Sequence, residues 1–178
     1  ENDPSFGSLM LSALQGNNDD TLWRLVLKLV NSFPEEEDRE AFKRNLAARN
    51  RNIAIEKFLK DSDPGVRLAA LEFASELKMN GLLELLKSST KDPAPNVRQT
   101  ALKCLNQQHF PQIQSFLLEA LHDPDEGVAF FSLQTLKAQM TPNQLAPHLV
   151  RFINSSSEKL RNFALEEIAR LTKERYKA

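Results

Sequence analysis

Few residues in this chain are spaced for chemistry, and most of those that could react lack the partners they would need. The three histidines, His109, His122 and His148, stand in no HExxH string and in no His-Glu pair. A single cysteine, Cys104, can supply neither a Cys-rich zinc site nor an internal disulfide. No motif pairs it with a histidine that would make it a nucleophile. Five glycines leave little room for loops that cradle phosphate, and neither GxGxxG nor a GKS/GKT string occurs. Carboxylates are plentiful, but no pair is singled out by its setting. The expectation is a chain without catalytic residues, metal or cofactor.

Two other patterns remain. One is an aspartate six residues before an arginine, as in Asp61/Arg67 and Asp92/Arg98. The other is a basic segment from Arg39 to Lys60, with seven Lys/Arg against Glu40 and Glu56. Glu35, Glu40 and Glu56 each precede a base (Arg39, Arg44, Lys60) at the favoured i, i+4 spacing, which leaves Arg49 and Arg51 as a candidate anion or nucleic-acid patch.

The whole-chain balance limits the second pattern. With Lys+Arg 23 against Asp+Glu 24 in 178 residues, the formal charge is -1, which argues against a broad surface built for phosphates. Hydrophobic residues at 41% and charged residues at 26% exclude a wholly disordered chain. The longest apolar stretches are broken by Lys28, Glu84 or Glu119, so no membrane span is expected. A lone cysteine suits a reducing compartment, so the cytoplasm is the expected location. Asn154-Ser-Ser156 matches a glycosylation sequon, a short pattern that chance also produces.

The elements that must position these residues repeat. Asp61-Ser-Asp-Pro-Gly-Val-Arg67, Asp92-Pro-Ala-Pro-Asn-Val-Arg98 and Asp123-Pro-Asp-Glu-Gly-Val-Ala129 align without a gap, and their valines at 66, 97 and 128 stand 31 apart. Ser155-Ser-Ser-Glu-Lys-Leu-Arg161 is a fourth copy, and Asn17-Asn-Asp-Asp-Thr-Leu-Trp23 an N-terminal one. Downstream run columns of Val26, Ala70, Ala101, Ser132 and Ala164, then of Leu27, Leu71, Leu102, Leu133 and Leu165, then of Val30, Ala74, Leu105, Leu136 and Ile168. The i, i+4, i+5, i+8 spacing marks one face of an α-helix, and small residues in the first of these columns call for close helix approach. A second apolar helix precedes each turn, carried by Leu9/Leu11/Leu14, Ile53/Ile55/Leu59, Leu82/Leu85/Leu86, Ile113/Leu117/Leu121 and Leu145/Leu149/Ile153. Proline in the turns suits a helix's first residues, and aspartate suits a cap.

Neither helix of such a pair buries its apolar face alone, so neighbours must stack. The pattern Asp-Pro-x-x-x-Val-Arg-x-x-Ala-Leu, intact from Asp92 to Leu102, resembles the HEAT repeat, especially the bacterial HEAT-like or PBS-lyase-type kind. The expected fold is an all-α, right-handed α-solenoid of about five helix–turn–helix HEAT-like repeats forming a single domain over 1–178. The repeats fall at about 4–33, 51–79, 80–108, 110–140 and 142–176, with one inserted helix at about 34–50. The resemblance implies a structural ladder of Asp61, Arg67, Asp92, Arg98, Asp123 and Arg161 between adjacent repeats, broken at Trp23 and Ala129. It also implies that the second helices line a concave face. Subtracting the core columns then leaves an outward ridge of Arg24, Lys28, Leu68, Glu72, Gln99, Lys103, Phe130, Gln134 and Lys137, where Leu68 and Phe130 are apolar among polar neighbours.

The function expected from this surface is a non-catalytic scaffold or adaptor that binds a protein or peptide along the concave face. Two alternatives come from relatives that the resemblance brings in. One is a nucleic-acid-binding or repair module, like the alkylpurine DNA glycosylases, using the Arg39–Lys60 segment. The other is a bilin-lyase-like enzyme. The absence of His-Glu pairs speaks against the HEAT-like hydroxylases that hold iron with such pairs.

Overall fold

The structure, a computed structural model, describes residues 19–30 and 55–175. The expected first helix of the N-terminal repeat and the inserted helix at 34–50, with Arg49 and Arg51, lie outside the described residues. Among the described residues every regular element is an α-helix. They are α1 (Asp20–Val30), α2 (Ile55–Phe58), α3 (Pro64–Glu76), α4 (Leu82–Ser89), α5 (Pro95–Gln107), α6 (Ile113–Ala120), α7 (Glu126–Gln139), α8 (Pro142–Val150) and α9 (Glu158–Arg175). The chain divides into two compact units, Glu1–His109 and Phe110–Ala178.

Each unit is built from pairs of helices that alternate along the chain. In the first, second helix packs on second helix, α1 on α3 and α3 on α5, while α2 and α4 cover their flanks. In the second unit, α6 packs on α7, α8 on α9, and α9 on α7. The core columns lie where the spacing puts them. Val66, Val97 and Val128 are buried, as are Ala70, Ala101, Ser132 and Ala164, and Leu71, Leu102 and Leu133. Buried Ser132 satisfies its hydroxyl by donating to the Val128 carbonyl at 2.9 Å, so a polar atom enters the column without an unmet hydrogen bond.

Ile168 is half-buried where Val30, Ala74, Leu105 and Leu136 are buried, and a second column member departs further. Leu165 is 48% exposed, although its counterparts Leu71, Leu102 and Leu133 are sealed. Within the second unit α7, which bears Leu133, has α9 packed against it, whereas α9 is the last described helix. A smaller departure occurs in the turn after α8, where Phe152 is buried and Ile153 only half-buried.

The helix starts also refine the expected capping. Asp63 caps α3 directly, its carboxylate accepting the Gly65 N–H at 2.9 Å, with Pro64 at the first helical position. The other two Asp-Pro pairs stand too early to cap. Helix α5 starts at Pro95 behind Ala94, and α7 starts behind Asp125, whose side chain accepts the Val128 N–H at 3.1 Å. Asp92 and Asp123 tighten the turns instead, accepting the N–H two residues on, from Ala94 at 2.8 Å and Asp125 at 2.9 Å. The chain leaves α3 and α5 through Lys78 (φ 48°) and His109 (φ 54°), equivalent residues in the left-handed region that favours glycine. The left-handed turn thus recurs in two copies without a glycine to mark it, whereas the equivalent Met140 after α7 is extended (φ -101°).

Leu105→Ala, which empties a fully sealed site, is expected to lower unfolding free energy by about 2–5 kcal/mol, whereas Leu165→Ala changes it by about 0.5 kcal/mol or less. Urea denaturation of the two variants checks the contrast.

Candidate functional site

The turn before each second helix gathers the chain's most regular polar chemistry. Arg67, one residue into the helix beyond buried Val66, folds back over its own turn. Its Nη1 donates to the Asp61 carbonyl at 2.7 Å and the Ser62 carbonyl at 3.2 Å. The rest of the guanidinium reaches the following turn, where Nε and Nη2 each donate at 2.8 Å to the two oxygens of Asp92. One planar group thus ties together two turns that are 25 residues apart in sequence. Arg98 repeats the first half of this arrangement, with Nη1 donating to the Asp92 carbonyl at 2.8 Å and the Pro93 carbonyl at 3.1 Å. Arg161 does so again, onto the Ser155 carbonyl at 2.7 Å.

The N-terminal copy keeps its rung by another route. Trp23 takes the arginine column and is buried, yet Arg24 reaches Asp61, with Nε to Oδ2 at 2.7 Å and Nη2 to Oδ1 at 2.9 Å. The ladder is therefore not broken at Trp23, because a long side chain one residue on spans the same gap. Lys28 reinforces the contact with an ion pair to Asp63 at 3.0 Å.

Charge and hydrogen bonding set the titration of these groups. Burial alone would push the Asp92 carboxyl up, but the Arg67 guanidinium and the Ala94 N–H outweigh it and hold the group below the ordinary aspartate range. The Arg24 hydrogen bonds lower Asp61 in the same way, against a smaller effect of burial. In the second unit Glu167 is buried, and burial alone would raise its pKa. Lys137 at 2.5 Å and Arg170 at 2.9 Å bring it below the usual range instead. Glu167 is a structural residue that sequence reasoning missed. The available signal was a carboxylate in the column that otherwise holds Leu29, Phe73, Cys104 and Thr135, of which Phe73 and Cys104 are buried.

The outward ridge divides between the units. In the first, Arg24 and Lys28 are engaged by Asp61 and Asp63; Leu68, Glu72 and Gln99 are half-buried, and Lys103 is exposed. In the second, Lys137 is held by Glu167, Gln134 is exposed, and Phe130 is half-buried. Phe130 has two ring contacts. Its ring meets Phe163 edge-on with centroids 5.4 Å apart, and the Lys159 ammonium lies 4.1 Å from its centroid. In the basic segment, Lys57 pairs with Asp20 of α1. Cys104 is buried, His109 and His122 are exposed, and His148 is half-buried. Among the described residues no group of three His, Cys, Asp or Glu is arranged to hold a metal ion.

A family described as "HEAT repeats" matches residues 79–169. The chain belongs to the HEAT-repeat family. A second description, "HEAT repeat associated with sister chromatid cohesion", matches residues 54–74 across α2 and most of α3. No curated protein matches the chain. HEAT repeats generally mediate protein–protein interaction and are typically non-catalytic. No described helix is long and apolar enough to cross a membrane.

The Arg67–Asp92 rung, with side chains only 11% and 10% exposed, is expected to show a coupling of about 1–2 kcal/mol in a double-mutant cycle. The Arg24–Asp61 rung, whose arginine is 44% exposed, is expected to couple less and to weaken more in salt. Because folding lowers the Asp92 pKa, its contribution is complete above the ordinary aspartate range and is lost as pH falls through the folded value. Asp92→Asn should therefore lose less stability than wild type on acidification below about pH 5, measured by urea unfolding at a series of pH values.

Proposed function

We propose that the chain is a non-catalytic scaffold or adaptor that binds a protein or peptide along the outward face of its second helices. Helices stacked side by side present a long surface whose ordering cost was met on folding, so little is lost again on binding. With Arg24, Lys28 and Lys137 engaged in ion pairs, the groups best placed to receive a partner are Leu68, Gln99 and Lys103 in the first unit and Phe130 and Gln134 in the second. The observation that carries the reading is the Phe130–Phe163 pair with Lys159 over it. Aromatic surface flanked by a cation is the composition that anchors protein interfaces. The single cysteine keeps the cytoplasm as the expected compartment.

Affinity capture on the immobilised chain tests this reading. Phe130→Asp is expected to reduce the bound partner by about tenfold or more, while circular dichroism shows unchanged helicity. Capture that survives the substitution undiminished would place binding elsewhere.

A further inference from the structure

The repeat that opens at Asp123 differs from the others at both ends of its rung. Ala129 stands where Arg67 and Arg98 stand in the preceding copies, and Ser155 stands where an aspartate would receive the guanidinium. In the copies that have the arginine, its Nη1 lies 2.7–3.2 Å from the carbonyls six and five residues earlier. The counterparts of those residues here, Asp123 and Pro124, line an open cleft of about 680 Å³ within the second unit. Ala129 lies in its wall, with Leu121, Phe152 and Leu160 as apolar lining.

We propose that this cleft receives an arginine side chain of a partner polypeptide, which supplies from outside the guanidinium that this repeat does not carry. The sibling repeats show the chemistry the turn accepts, a planar donor bonded to two successive carbonyls, which a guanidinium can provide and a carboxylate or phosphate cannot. The rim suits a cation: Glu126 is exposed there, and Arg151 is turned onto His122. The opening of α9 is occupied as well, with the Ser157 N–H donating to Ser155 Oγ at 3.2 Å and the Leu160 N–H to Ser157 Oγ at 3.3 Å, which disfavours an anion there. Leu121, Phe152 and Leu160 offer contact to the aliphatic stem of the incoming side chain. The volume falls within the roughly 300–1,000 Å³ typical of ligand sites and exceeds one guanidinium, leaving space for the peptide that bears it. This site is separate from the Phe130 ridge and stands or falls without it.

The test is titration of the isotopically labelled full chain, followed by amide NMR, with acetyl-Gly-Arg-Gly-amide, with the same peptide bearing neutral citrulline, and with inorganic phosphate. The expected result is saturable shifts centred on residues 123–129 and 155–160 for the arginine peptide, about tenfold weaker binding of citrulline, and none of phosphate. Ala129→Arg, which restores the rung from within, should abolish the saturable shifts. Glu126→Gln, at an exposed position, should weaken binding about threefold, and it provides the test if Ala129→Arg does not fold. Equal binding of citrulline, preferential binding of phosphate, no saturable shift, or indifference to the folded variants would each overturn the proposal.

Discussion

The structure depends on close approach between consecutive second helices. A helix with one apolar stripe cannot stand alone in water, and a pair of short helices covers only part of each stripe. What completes the burial in the first unit is α3 lying against both α1 and α5, with Ala70 and Ala101 fully sealed. In the second unit α9 lies against α7, with Ala164 and Ser132 sealed. Small residues allow the backbones to come close enough for the flanking leucines to interlock, and a larger side chain in that column would hold the helices apart.

The arginine-clamped turn follows from this packing. Once successive helices are set side by side, their starting turns are neighbours, and a guanidinium beside one turn can reach an aspartate in the next. The rung therefore records the register of stacking and does not create it. Hydrogen bonds to carbonyls and carboxylate at nearly buried positions add stability because each donor has a defined acceptor, whereas the exposed Arg24 rung competes with water and salt.

Much of this was legible in the sequence because the repeat period and the helical period agree. Valines at 66, 97 and 128 fixed the phase, and the buried columns then followed by counting. Features that depend on side-chain reach were not legible. Trp23 in the arginine column reads as a missing rung, but Arg24 spans the one-residue offset with a flexible stem. Lys137 reads as an outward cation because nothing in its own helix reveals Glu167 of α9. Leu165 reads as core because its column is core in four earlier copies, while α9 is the last described helix. The cleft was half legible: Ala129 marks a missing arginine, but a cavity also requires a small residue at position 155, one repeat later. Arg49 and Arg51 lie outside the described residues, so the basic segment rests on sequence alone.

The most direct test of the stacking account is amide hydrogen exchange across α3 and α5 in wild type and in Ala101→Leu. Added bulk at a fully sealed position between packed helices is expected to cost about 1–3 kcal/mol, and the account predicts that protection falls in both helices together. Faster exchange confined to α5, with α3 as protected as before, would contradict it.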